Sequence, residues 1–262
     1  MSEVIVITSG KGGVGKTTTT ANLGMGLAML DKKVALVDAD IGLRNLDVVM
    51  GLENRIVYDI VDVIEENCRL NQALIKDKRN PNLYLLPAAQ TKDKDAVEPQ
   101  QMKDLCDKLK EEFDYILIDC PAGIEQGFKN AIAGAGHAIV VTTPEVSAVR
   151  DADRIIGLLE ANGLKSPKLI LNRLRLDMVN RGDMMAIEDV TEILAIDIVG
   201  VVPDDETIIT STNHGEPAVM DSNSRAGRSF GDISKRIAGQ EVPFMDLEIK
   251  DNIISRLKKI FK

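Results

Sequence analysis

"EVIVITSGKGGVGKTT", Glu3–Thr18, is the stretch whose reading decides the fold. A short β-branched run ends in a glycine-rich loop, and the loop gives way to residues that open a helix. Gly10 to Thr17 satisfies G-x-x-x-x-G-K-[ST] in that strand–loop–helix frame. Small residues there let consecutive backbone N–H groups point at phosphate oxygens, and the helix N-terminus adds the positive end of its dipole. Gly10, Lys11, Gly12, Gly13, Val14, Gly15, Lys16, Thr17 and Thr18 are therefore the candidate phosphate-binding residues. Lys16 is expected to reach the β- and γ-phosphates, and the Thr17 hydroxyl to ligate Mg²⁺.

Outward from the loop, β-branched runs and helical stretches alternate along the chain. Val4–Thr8, Val34–Asp38, Leu83–Leu86, Tyr115–Asp119, Ala138–Thr143, Lys168–Asn172 and Ile198–Val202 read as strands. They are continuously apolar, as expected when both faces of a parallel sheet are covered. Helices are expected over Lys16–Leu30, Ile56–Glu66, Pro99–Glu111, Val146–Asn162, Ala186–Ala195 and Arg225–Ala238. The alternation predicts a doubly wound, mostly parallel α/β sheet. Residues 1–238 read as one domain, 239–249 as a connector and 250–262 as a terminal amphipathic helix.

Composition narrows the function classes. The 262-residue chain is 44% apolar and carries a net charge of −9, which argues against a nucleic-acid-binding surface. Residues 250–262 hold five basic side chains against one acidic, so the rest of the chain is about −13. Three scattered cysteines without a CxxC pair fit a reducing cytoplasm and no disulfide framework. Two histidines make a His-based metal site a poor reading. The N-terminal stretch lacks signal-peptide character, and no apolar run reaches about 18 residues.

Three acids end predicted strands, where ligands bind in open parallel sheets. Asp38 and Asp40 follow "ALV", and Asp119 closes "YILID". Asp38 and Asp119 read as the Mg²⁺ side of the site, Asp119 through a coordinated water. Asp40, one step further out, is the better candidate to orient an attacking water. Each acid alone could equally cap a helix. The base is less marked. No N-K-x-D stretch occurs, so adenine is favoured. Asn172, Pro203 and Asp205 lie where a purine edge would sit, although Asn172 can also serve as a turn residue.

Lys11 has two readings that spacing does not separate. It is either a solvated lysine or a charge offered to a neighbouring subunit's nucleotide, as an arginine finger is. The last segment, "KDNIISRLKKIFK", poses a similar choice. At about 100° per residue, Ile253, Ile254, Leu257, Ile260 and Phe261 fall within about 120°, with Arg256, Lys258 and Lys259 around the remainder. Twelve residues make roughly 18 Å of helix, short of a bilayer core of about 30 Å. The segment is then either an in-plane helix on anionic lipid or an amphipathic helix docked on the domain.

The string "KGGVGKTT" resembles the deviant phosphate loop of the MinD/ParA ATPase family, P-loop NTPases of the SIMIBI type. The likeness extends to "DADIGLRNLDVVMGLENRIVYDIVDVI", "LPAAQTKDKDA", "DCPAGIE", "TTPEVSAVRDADRI" and "GVVPDD", covers nearly the whole chain, and falls in the MinD branch. The resemblance implies an Mg-ATP-dependent homodimer in which Lys11 reaches the partner's phosphates. It implies a peripheral membrane ATPase that places the cell-division site. It further implies recruitment of the septum inhibitor MinC and release when MinE or an equivalent regulator stimulates hydrolysis. By position, Lys11, Gly12, Lys16, Thr17 and Asp40 would form the catalytic and nucleotide set. Asn45 would be a switch residue near the dimer interface, and Asp151 would lie in the helix that meets the regulator. A ParA-type DNA-binding ATPase fits less well because the body is acidic. An iron–sulfur bridge lacks a partner for Cys120, and a tyrosine-kinase tail is missing, since all three tyrosines lie in the body.

Overall fold

The computed structural model describes residues 2–92 and 96–245. The expected terminal helix, and with it the membrane-facing residues named above, lies outside the described residues.

Eight strands form one sheet: β1 (Glu3–Thr8), β2 (Val34–Asp38), β3 (Ile75–Lys76), β4 (Leu83–Leu86), β5 (Tyr115–Asp119), β6 (His137–Thr142), β7 (Lys168–Leu174) and β8 (Ile198–Pro203). Their order is β3-β4-β2-β5-β1-β6-β7-β8. Every pairing is parallel except β3 with β4. The helices are α1 (Lys16–Ala28), α2 (Leu46–Val49), α3 (Ile60–Ile64), α4 (Leu70–Ala73), α5 (Pro99–Lys110) and α6 (Gln126–Ile132). They continue with α7 (Val146–Ala161), α8 (Leu176–Val179), α9 (Ile187–Leu194), α10 (Thr207–Asn213) and α11 (Arg225–Ile237).

Side chains alternate across the sheet and feed two cores. Val4 and Val6 of β1 face α5, α6 and α7, while Ile5 and Ile7 face α1 and α11. Phe230 of α11 is fully buried against the second face. Burial of one such ring stabilises by about 1.5–3 kcal/mol. Because both faces are covered, all five residues of β2 and all five of β5 are buried. The doubly wound fold expected from the sequence is therefore the fold found.

Beyond the short helices α2, α4, α6, α8 and α10, which are not among the expected helices, two elements differ from expectation. The helix anticipated over Ile56–Glu66 is shortened to α3, preceded by a 3₁₀ turn at Glu53–Arg55. The Asp59 carboxylate accepts from the backbone N–H groups of Val61 and Asp62, while Asp62 accepts from the Asp59 N–H. This capping box fixes the helix start at Ile60. Glu66, at φ 60°, ends the turn that follows. The second difference is β3, a two-residue antiparallel edge strand with too little periodicity to read in advance.

Candidate functional site

β1 is central, and the loop that follows it opens at the carboxyl edge of the sheet. Gly15 adopts φ 99°, a left-handed conformation that disfavours any side chain. A Cβ at Gly15 would also strike the Asn172 amide, and one at Gly10 would strike the backbone of Asp151 on α7. The loop is thus pinned between β7 and α7. Asn172 is buried, and its amide donates to the Val14 carbonyl at 2.8 Å while its Oδ1 accepts from the Arg173 N–H at 3.0 Å. The residue expected at the base is in part a buttress of the phosphate loop.

The two lysines of the loop sit in different environments. Lys16 is only 8% exposed. Lys11 points outward, with its ammonium 3.4 Å from Ser147 Oγ and 3.8 Å from a Glu145 carboxylate oxygen. Both charged side chains of that ion pair are about half exposed.

The strand ends bring the acids together. Asp38 and Asp119 stand directly opposite one another on β2 and β5, and both are buried. Asp38 accepts from the Asp40 N–H at 3.0 Å and the Leu46 N–H at 3.2 Å. Burial, and then the charge of Asp119, push the Asp38 carboxyl well above the usual carboxylate range despite those two bonds. Asp119 is also raised, chiefly by burial, with the Thr17 hydroxyl, Lys16 and the Thr20 hydroxyl opposing the shift. The Thr20 contribution was not foreseen. Its Oγ1 lies 3.2 Å from Asp119 and 3.1 Å from the Lys16 carbonyl. The signal was available, since Thr20 is one helical turn beyond Lys16 and shares its face.

Two buried, under-neutralised carboxylates beside a threonine hydroxyl suit a divalent cation. No group of three or more His, Cys, Asp or Glu converges among the described residues. Magnesium takes one or two carboxylates and fills its remaining positions with phosphate oxygens and water. Thr17, Asp38 and Asp119 are the residues that fit such an ion. The Cys120 thiol beside them is buried and is pushed up to about 12, chiefly by burial. It is a packing residue in the apolar core.

A cavity of about 1350 Å³ opens beside the loop, lined by Gly15, Thr18, Asn172, Arg173, Pro203 and Asp205 among others. Asp205 does more than line it. Its carboxylate accepts from the Thr207 N–H at 3.0 Å, the Thr207 hydroxyl at 2.8 Å, the Ser224 hydroxyl at 3.0 Å and the Ala226 N–H at 3.1 Å. Burial alone would raise it, but these bonds bring it down to about 2. One side chain thus ties the starts of α10 and α11 together at the cavity wall, a structural role missed in the sequence. Asn45 is exposed at the N-terminal end of α2, with no side-chain cap bond. Asp151 is half-buried on α7, behind Gly10.

A strand-P-loop-helix unit, a buried lysine and paired strand-end carboxylates at the switch of a parallel sheet define a P-loop ATPase. Residues 2–165 match a family model described as an AAA domain. Septum site-determining protein MinD of Bacillus subtilis (strain 168) is 58% identical over 264 residues, covering all of this chain and 98% of that protein. The chain belongs to the MinD family. Among solved structures, the MinC:MinD cell division protein complex of Aquifex aeolicus is 48% identical with a TM-score of 0.88, covering 94% of this chain and 99% of that one. The septum site-determining protein MinD complexed with Mg-ADP, from Pyrococcus horikoshii OT3, is 31% identical with a TM-score of 0.83, covering 90% and 96%.

Proposed function

We propose that this chain is an ATP-driven dimerisation switch on the cytoplasmic face of the cell membrane, where it helps to place the division site. The observation that carries the reading is the split between the two loop lysines. Lys16 is buried in the loop, while Lys11 is half exposed and held only by surface partners. An exposed ion pair contributes at most about 1 kcal/mol, so Lys11 can leave Glu145 for a phosphate on a second copy at little cost. ATP then pairs two chains, and each Lys11 completes its partner's site.

Within one site, loop N–H groups and Lys16 hold the phosphates. Thr17, Asp38 and Asp119 would hold magnesium, which supplies charge neutralisation at the phosphate oxygens when bound. Asp40 orients the water that attacks the γ-phosphorus in line; the β–γ bridging P–O bond breaks, giving ADP and phosphate. Asn172 keeps one amide proton for a purine edge, in line with adenine as the base.

Residues 250–262 serve as the membrane contact, with 239–249 as the connector. Basic side chains near an anionic surface add about 1 kcal/mol each, which is marginal for one tail. Two tails on a dimer gain from effective concentration. The complex of a relative with MinC supports a septum inhibitor as a partner, while α7 with Asp151 is the surface offered to the regulator. A regulator of the MinE kind would stimulate hydrolysis and release the chain. Co-sedimentation with anionic vesicles, in ADP and ATP, with and without residues 251–262, tests the scheme. Pelleting that requires both ATP and the tail is expected; pelleting indifferent to nucleotide would reduce the tail to a plain anchor.

A further inference from the structure

We infer that Arg79 is a positioning residue for hydrolysis, fixing the far end of the segment that carries Asp40. The inference rests on the reading of Asp40 given above. Arg79 precedes β4, and no phosphate-loop residue is among its hydrogen-bond partners. Its side chain is 11% exposed and is paired with Asp77, which is fully buried. One guanidinium nitrogen donates to the Gly215 carbonyl, and another donates to the Met50 carbonyl at 2.7 Å.

Those two carbonyls belong to segments that run back to the site from opposite sides. Met50 ends α2, and the N–H of Leu46 that starts α2 is held by Asp38. Gly215 follows α10, whose start is held by Asp205 at the cavity wall. The two chains cross at Gly51 and Gly215, with φ of 61° and 64°, so closely that a Cβ on either would strike the other's backbone. Arg79 is the side chain that bridges the crossing. Segment 40–50 is thus held at one end by Asp38 and at the other by the guanidinium. A planar fork can serve two carbonyls and a carboxylate at once, which a lysine ammonium on a flexible stem cannot do in the same geometry.

Arg79→Lys keeps the charge beside Asp77 and removes the double span. Gly215→Ala leaves Arg79 in place and forces the crossing apart. Both variants should lower kcat at saturating ATP about tenfold, with ADP affinity, read by a fluorescent analogue, within about twofold of the parent. In Arg79→Ala, added guanidinium ion should restore part of kcat. A merely structural residue would instead lower the melting temperature and leave the kcat of the folded fraction unchanged. Unchanged kcat in both variants overturns the inference, as does a loss of ADP affinity equal to the loss of kcat. Asp40→Ala, measured alongside, separates the two claims. If it hydrolyses ATP normally, the reading of Asp40 fails; if it is slow while the Arg79 and Gly215 variants are not, the Arg79 inference fails.

Discussion

Replacing Asp119 with Asn should make the nucleotide-free protein more stable at alkaline pH and blind to magnesium. Asp38 and Asp119 face each other on paired strands, and their exposures are 0% and 2%. Neighbouring strands lie about 5 Å apart, and two like charges at that distance repel by about 3 kcal/mol at an effective dielectric constant of about 20. Both carboxyls are raised, mainly by burial. An acid whose folded-state pKa is raised costs nothing below the unfolded value, where it is protonated in both states. The penalty grows as pH climbs from the ordinary carboxylate value near 4 toward the raised ones. The parent chain should therefore lose roughly 3 kcal/mol more than Asp119→Asn between about pH 5 and about pH 8, or around 6 °C in melting temperature for a chain of this size. The amide keeps an acceptor for the Thr20 hydroxyl, so packing is conserved. Thermal unfolding at the two pH values, in EDTA and then in millimolar magnesium, reads both effects. Magnesium should recover the parent at the higher pH and leave the variant unmoved. Parallel pH profiles for the two proteins would refute the argument that the opposed charges are the source of the strain.

Other outcomes follow from the same geometry. Lys16→Ala should abolish binding of a fluorescent ATP analogue, whereas Lys11→Ala should bind it with near-parental affinity and fail to turn over; equal loss of binding in both would contradict the division of labour. Gly15→Ala combines a left-handed φ with a Cβ against the Asn172 amide, so analogue affinity should fall at least about tenfold while the far-ultraviolet circular dichroism stays the same. Leu257→Glu removes an apolar contribution of about 1.5–3 kcal/mol from the tail and should lower vesicle affinity at least about tenfold, with soluble ATPase activity retained.

The fold was legible where its signal was local. β1, the loop and α1 could be placed because apolar runs, glycines and a helix start lie next to one another in the chain. The strand-end acids were legible for the same reason, since an apolar run closing in Asp marks a carboxyl edge. What escaped depends on contacts between distant residues. Asp205 caps α10 two residues away and also α11, 21 residues away. Arg79 reaches Met50 across 29 residues and Gly215 across 136. Neither leaves a pattern within any short window. Asn172 was placed at the site, but its bond to the Val14 carbonyl spans 158 residues and is visible only after folding.

These long-range bonds also suggest how a phosphate could be felt beyond the loop. Asp38 holds two N–H groups, those of Asp40 and Leu46, with the same carboxylate that would face magnesium. Asp38 would hold such an ion while its two bonds position residues 40 and 46. The segment between them contains Asn45, exposed at the start of α2, and α2 leads on to Met50, whose carbonyl is held by Arg79. The segment is also anchored at Gly42, whose N–H donates to the Ala89 carbonyl at 2.8 Å. Exposed Asn45 falls in the part of the segment that the MinD/ParA resemblance implies is near a second copy.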